Sequence, residues 1–290
     1  MQGWHVGDVK VIRLVETEDT SMAAEFMLPD ATPENVLPIE WLQPFFITED
    51  GELIAAICSL LVESQGKKIV VDTCLGNDKP RAVPQWNMRQ SNFLQRMGAL
   101  GFDRKSVDYV VCTHLHPDHV GWNTMLDGDK WVPTFPRARY MFSKADWDWL
   151  ENAPVTPLGD YAGDSVKPVF SAGLADVYTP DFKLTDEISL VSTPGHSPGH
   201  ISVSIKSGGQ SALITGDVMH HPAQIAHPEW RSPFDFDGDT AESTRSDMLR
   251  DNADKGTLVI GSHFASPGGG YVTRNTDGYA FELDPDDLED

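Results

Sequence analysis

Four apolar or β-branched runs in this chain each end at or just before a histidine or an aspartate, and this constrains the fold more than any bulk property. Residues 107–113 lead into His114, 188–192 toward His196, 211–215 toward Asp217 and 257–261 toward His263. If the runs are strands, a fold that gathers their ends puts four metal-competent positions together. The densest is Thr113-His114-Leu115-His116-Pro117-Asp118-His119-Val120-Gly121, with three histidines and one aspartate in six residues. Imidazole and carboxylate are ligands for borderline divalent cations, and a tight proline-containing loop after a strand can aim alternate side chains into one cavity. A lone histidine pair would be weak evidence. Taken singly, His196 and His263 fit a turn as well as a metal, and Asp217 fits a helix start better.

Periodicity and punctuation organise the rest. Residues 9–16, 54–64 and 68–72 read as strands, the last two joined at Gln65-Gly66. Phe93, Leu94, Met97 and Leu100 recur at helical spacing over 91–100, and Gly101 ends that helix. Further strands are expected at 107–113, 139–142, 188–192, 201–206, 211–215 and 257–261, with Gly208-Gly209 as a turn. Helices are expected at 144–152 and 240–254, and a Pro/Gly-rich stretch runs over 154–173. Each half runs through a hairpin, a helix and a strand ending near a histidine. An α/β chain of four layers follows if each half gives one sheet and the helices lie outside. Layered folds of this length often form one unit, so 1–290 is expected to be a single domain. Residues 20–46 scatter Met22, Phe26, Met27, Leu28 and Trp41 among four prolines, an apolar excursion that packs on the core, lines a pocket or forms a homodimer contact. Residues 284–290 form an acidic tail.

Charge narrows the function classes. Lysine and arginine total 22 against 44 acidic residues, a formal charge of −22 that repels polyanions. Arg81, Arg89, Arg96 and Arg104 are scattered, so nucleic-acid binding is not expected. The longest apolar run, 53–62, is about half a membrane span, which argues against a membrane protein. The start lacks a basic region followed by an apolar core, and Cys58, Cys74 and Cys112 sit in apolar surroundings, so a reducing, cytoplasmic location is expected. Cys112, two residues before His114, is expected in the core on the same strand face.

Taken together, the order His-x-His-x-Asp-His, then His, then Asp, then His resembles the metallo-β-lactamase-fold hydrolases over about residues 9–264. The resemblance implies an αβ/βα sandwich in which His114, His116 and His196 hold one divalent metal. Asp118, His119 and His263 would hold a second, and Asp217 would bridge the two with a water-derived hydroxide. Zinc is the first expectation, with manganese, iron or cobalt as alternatives. No cysteine stands where zinc β-lactamases often use one, so β-lactam cleavage is not expected. Gly216-Asp217-Val218-Met219-His220, Ala223-Gln224-Ile225 and His263-Phe264-Ala265-Ser266-Pro267-Gly268-Gly269-Gly270 resemble the methyl parathion hydrolase and quorum-quenching lactonase group. Lactonases of that group often have tyrosine three residues after the bridging aspartate; here His220 stands there, as in the parathion hydrolase branch. The expected activity is opening of a small apolar lactone or cleavage of an ester, with promiscuity toward organophosphate triesters. Asp118, Asp217 and His220 are the catalytic candidates. The alternatives are a thioester hydrolase resembling glyoxalase II and a one-iron enzyme resembling persulfide dioxygenases. His200 is expected to support His196, His221 to lie outside the pocket, and His5 and His227 to be ordinary. Among Phe45, Phe46, Trp86, Trp122, Trp131, Phe135, Trp147 and Trp149, most are expected in the core and a few at the pocket mouth.

Overall fold

In the computed structural model, residues 2–20, 24–152, 158–179, 181–276 and 278–284 are described. Met22, residues 153–157 of the Pro/Gly-rich stretch and the acidic tail beyond Asp284 lie outside them. One sheet begins with β1 (Gly3–Val6), β2 (Val9–Asp19), β3 (Ala55–Ser64), β4 (Lys67–Val71) and β5 (Tyr109–Val111). A small ribbon of β6 (Thr124–Asp127) and β7 (Lys130–Pro133) follows, and then β8 (Arg139–Ser143) and β9 (Ala175–Tyr178) extend the first sheet beyond β5. The second sheet holds β10 (Phe182–Lys183), β11 (Ile188–Ser192), β12 (Ile201–Ser207), β13 (Gln210–Ile214), β14 (Thr257–Ile260), β15 (Gly269–Asn275) and β16 (Gly278–Glu282), side by side in chain order.

The two halves share the pattern that the sequence suggests. Strand β3 pairs antiparallel with β4, which runs parallel to β5; β12 pairs antiparallel with β13, which runs parallel to β14. Beyond this unit they diverge, because β8 and β9 continue parallel whereas β15 and β16 return antiparallel.

Strand periodicity divides the core. Val71, Val111 and Met141 point to one side of the first sheet and meet Leu190, Val203, Ile214 and Ile260 of the second. Their chain neighbours Val70, Val110, Tyr140 and Phe142 point to the other side, in one cluster with Phe93 and Met97 of helix Phe93–Ala99 and Leu150 of helix Lys144–Asn152. Leu213 and Val259 of the second sheet likewise face outward, in that cluster with Met248 and Leu249 of helix Gly238–Asn252. Near-continuous apolar strands are what burial on both faces requires, and the result is the expected layering of helix, sheet, sheet and helix. Cys58, Cys74 and Cys112 are buried and unbridged. Among the described residues, no helix is long and apolar enough to cross a membrane.

Within the Pro/Gly-rich stretch 154–173 the chain carries helices Tyr161–Ser165 and Lys167–Ser171. Asp160 starts the first by accepting a hydrogen bond from the Gly163 N–H at 3.1 Å. Strands β1, β9, β15 and β16 have no clear sequence signal; they are short or begin in glycine, and pairing with longer neighbours defines them. Within the excursion, Met27, Leu28, Val36, Leu42 and Phe46 are fully buried, so most of it packs on the core.

Candidate metal centre and active site

Strands β5, β11, β13 and β14 run in one sense within their sheets, and the histidines and aspartates picked out in the sequence follow their carboxyl ends. That is where open α/β sheets place ligands, since the loops beyond strand ends are free of ladder pairing. After β5 the chain turns into helix Pro117–Val120, with Pro117 in its first turn, which fixes Asp118 and His119 relative to His114 and His116. Gly121 closes this turn because any Cβ there would land on the Leu75 carbonyl. Gly216, at φ +56°, lets the chain after β13 turn back, and a Cβ there would approach His200 Nε2 to 2.5 Å.

All seven expected ligands converge. The ligand atoms of His114, His116 and His196 lie within 4.8 Å of one another, and so do those of Asp118, His119 and His263. Asp217 stands between the two groups. Its Oδ2 is 3.1 Å from His263 Nε2, 3.5 Å from His196 Nε2 and 3.9 Å from His114 Nε2, while its Oδ1 is 3.3 Å from His119 Nε2. Asp118 Oδ2 is 3.7 Å from His119 Nε2 and 3.6 Å from His263 Nε2. A tetrahedral ion with bonds of about 2.1 Å has ligand atoms roughly 3.4 Å apart, within this range.

The imidazoles are oriented by their far nitrogens. His119 Nδ1 donates to Asp72 Oδ2 at 2.8 Å, His196 Nδ1 to Asp235 Oδ1 at 3.0 Å, and His263 Nδ1 to the Ala56 carbonyl at 2.8 Å. Thr113 donates its hydroxyl to Asp72 at 2.9 Å and therefore accepts from His114 Nδ1 at 3.1 Å. Each Nε2 is thereby turned inward, where it can ligate a cation in place of a proton. His119 Nε2 and His263 Nε2 are 3.2 Å apart, and His114 Nε2 is buried with no hydrogen-bond partner. Ring nitrogens facing one another beside two buried carboxylates form a stable arrangement with cations among them, so these residues fit two divalent ions.

The field has the same sign. Burial works against charging His119, but Asp217, Asp72 and Asp118 overcome it and hold the group well above its ordinary value. Burial would raise Asp217, yet His119, His263 and His114 hold its carboxyl well below the carboxylate range. His114 and His196 are pushed well down by burial, with further lowering from neighbouring histidines.

His220 lies in the site, with Nε2 3.4 Å from Asp217 Oδ2, and neither ring nitrogen has a hydrogen-bond partner. Burial pushes it down to about 3, so the ring is neutral near pH 7. His221 is held elsewhere, donating to the Phe46 carbonyl at 2.8 Å and accepting from the Ala223 N–H at 3.1 Å. The expectation for His200 needs correction: it supports Asp217, not His196. Its Nδ1 is held at the Thr193 carbonyl, 3.0 Å away, which leaves Nε2 to accept the Asp217 N–H at 2.9 Å. Cys112 is buried beside Asn123, as expected for a core residue.

Three aspartates that brace the ligand loops escaped the sequence reading. Asp72 follows β4 as the ligands follow their strands, a signal that could have found it. Asp235 lies between Phe234 and Phe236. Asp146, in helix Lys144–Asn152, accepts from the Gly199 N–H at 2.6 Å, from the Ser197 hydroxyl at 2.9 Å and from the Leu115 backbone, and so ties together the loops of His116 and His196. Burial raises Asp146 to about 6.

Phe26, Trp86, Leu158 and Phe234 cover the metal-ligand cluster, with Phe26 edge-on to Phe234 at 4.8 Å and to Trp86 at 6.3 Å. Beside it opens an apolar arm of about 300 Å³ walled by Trp149, Leu158, Tyr161, Pro233, Phe234 and Phe236. Of the aromatic residues flagged in the sequence, Trp86 and Trp149 reach these walls. Phe46, Trp122 and Phe135 are in the core, and Trp147 stacks on Phe170.

Residues 57–263 match the family model of the Metallo-beta-lactamase superfamily. The N-acyl homoserine lactonase AttM of Rhizobium radiobacter is 29% identical over 178 residues, 58% of this chain, and the chain spans 62% of that relative's length. A probable metallo-hydrolase of Mycobacterium tuberculosis is 27% identical over 69% of this chain and 68% of its own. Among solved structures, AidC, a dizinc quorum-quenching lactonase, superposes with a TM-score of 0.77 at 21% identity over 98% of this chain and 97% of its own. The hydrolase AbOPH does so at 0.76 and 22% identity over 98% and 97%. At these identities the two structures establish likeness of fold alone.

Proposed function

The chain belongs to the metallo-beta-lactamase superfamily, and from that premise we propose that it is a dinuclear metal-dependent hydrolase opening a lactone or cleaving a carboxylic ester of apolar character. The observation that carries this reading is the Asp217 carboxylate between His114, His116 and His196 on one side and Asp118, His119 and His263 on the other. A pair of divalent ions, zinc first, would supply Lewis acidity and a water of lowered pKa at neutral pH. Asp217 would hold the two sites at a fixed spacing. Asp118 adds negative charge on the second side, and Asp72 and Asp235 keep His119 and His196 in the tautomer that presents Nε2. As a neutral ring, His220 offers one N–H to the oxygen on which charge develops, acting as a hydrogen-bond donor instead of a charged acid.

The aromatic cover and the apolar arm favour an acyl or aryl substituent on the substrate. Among the described residues, no lysine or arginine lines either space, which disfavours an anionic glutathione thioester. The likeness to AttM and AidC, both lactonases, supports a lactone as the first substrate class. Hydrolysis of organophosphate triesters is proposed as a secondary activity.

Metal analysis of protein purified without chelator should give two equivalents per chain. A panel of one acyl lactone, one aryl ester, one thioester and one phosphotriester should show the lactone or the ester turned over with the highest kcat/KM. One iron per chain, or a preference for the thioester, would overturn this reading.

A further inference from the structure

The partner that orients His196 differs in kind from those of the other ligands. His119 is held by Asp72 at the end of β4, His263 by the Ala56 carbonyl in β3 and His114 by Thr113, all within the scaffold. His196 is held by Asp235, whose side chain is 1% exposed and whose two chain neighbours, Phe234 and Phe236, line the cavity wall. The same short segment is fastened to the His196 loop twice more: Phe236 N–H donates to the His196 carbonyl at 3.1 Å and Asp237 N–H to the Gly195 carbonyl at 3.0 Å. Asp235 Oδ2 accepts from the Ser232 N–H at 3.2 Å, which fixes the carboxylate plane. Asp237 also starts helix Gly238–Asn252 by accepting from the Thr240 N–H at 3.2 Å, so the segment is braced at both ends.

Phe234 and Phe236 can therefore not move without a consequence for Asp235. Phe234 touches both the cover over the metal ligands and the arm, while Phe236 is 59% exposed and faces Trp149 edge-on at 6.2 Å across it. An apolar group in the arm replaces solvent against Phe236 and narrows the positions open to the segment. We propose that Asp235 is a positioning residue that links occupation of the aromatic arm by the apolar part of a substrate to the orientation of His196, and so to the strength of the metal site it shares with His114 and His116. The link rests on the dinuclear reading above. By reciprocity, a filled arm strengthens metal binding by the same factor by which the metal strengthens filling of the arm. An apolar substrate then meets its best-ordered site only when its tail is seated.

Toluene is a suitable probe because it has no atom that can ligate a metal, and a cavity of about 150 Å³ already holds benzene. Metal loss to a competing chelator is followed for the wild type, Asp235→Asn and Asp235→Ala, each with and without toluene, with far-UV circular dichroism as the control on folding. Loss of the orienting carboxylate should weaken one of the two metal equivalents about 10- to 100-fold in Asp235→Ala and less in Asp235→Asn, whose amide oxygen can still accept from Nδ1. Toluene should slow loss of that equivalent in the wild type and have no effect in Asp235→Ala. Two metals held with unchanged strength in a folded Asp235→Ala would overturn the positioning role. A weakened Asp235→Ala together with a wild type indifferent to toluene would overturn the link to the arm. A wild type that takes up no second metal would overturn the dinuclear reading itself, a result distinct from either.

Discussion

Asp217 is the residue for which no substitute does the same work, because it faces nitrogen atoms of both histidine groups through its two oxygens. Asp217→Asn keeps the shape and removes the charge, and a neutral amide cannot serve two cations at once. Turnover should fall to background and metal content below two equivalents; a variant with both metals and near-normal rate would show that the bridging assignment is wrong. His220 invites a sharper comparison. Opening a lactone leaves an alkoxide that needs a hydrogen-bond donor, whereas an activated aryl phosphotriester expels a group that needs little help. His220→Phe should lower kcat for a lactone by about 100-fold and spare the phosphotriester, and equal losses on both would indicate a disturbed fold. All seven candidate ligands were legible in the sequence, His114, His116, Asp118 and His119 from their density after one apolar run and His196, Asp217 and His263 only through the order that resembles a known hydrolase family. Asp146 and Asp235 were not legible. Their partners lie 53 and 39 positions away in the chain, and nothing local distinguishes them from surface aspartates.

At the scale of elements, the sequence marks helix Lys144–Asn152 at both of its ends but not its reason for being there. Through Asp146 it receives hydrogen bonds from both histidine loops, so Asp146→Ala should cost about 2–4 kcal/mol in urea unfolding and weaken metal binding, while Asp146→Asn should cost less. A second buried anchor fastens the loop that carries Trp86 to helix Tyr161–Ser165. Arg81 binds Asp164 through two contacts, at 2.6 and 2.9 Å, and Lys79 Nζ lies 3.6 Å from the same carboxylate and 3.7 Å from the centre of the Trp131 ring. Burial pulls Lys79 down to about 7, against the attraction of Asp164. A base lowered in the folded state binds fewer protons there than in the unfolded chain, so between about pH 7 and 10.5 its effect on stability improves as pH rises. Wild type should therefore gain stability relative to Lys79→Met across that window in parallel denaturation series; a difference that stays flat would mean that Lys79 is charged in the fold. The apolar excursion was legible as apolar but not as divided. Leu28 and Phe46 belong to the core, whereas Phe26 and Met27 line the space over the site, because a segment with four prolines has no period from which to read its faces.

Across the whole molecule, the site is a joint between its two sheets. His114, His116, Asp118 and His119 follow β5 of the first sheet, and His196, Asp217 and His263 follow strands of the second. Metal ions there would cross-link the two layers and neutralise buried carboxylates in a chain of net charge −22, in which self-repulsion already opposes compaction. Ions that bind only the folded chain stabilise it by about 4 kcal/mol for each site at a free concentration of about 1,000 times Kd. With about 2.1 cal/mol/K of unfolding entropy per residue, a chain of this length has roughly 0.6 kcal/mol/K, so each site should be worth about 7 °C in Tm. Chelation should therefore lower Tm by roughly 7–14 °C, and added zinc should restore it. The −22 charge makes the chelated protein more dependent on salt than the metal-loaded one, because screening does part of what the cations did. Asp217→Asn separates the two contributions. If it has lost a carboxylate that both sites share, it should resemble the chelated wild type in Tm and respond to salt but little to zinc. A variant restored by zinc as fully as the wild type would show that the cross-link between the sheets does not pass through Asp217.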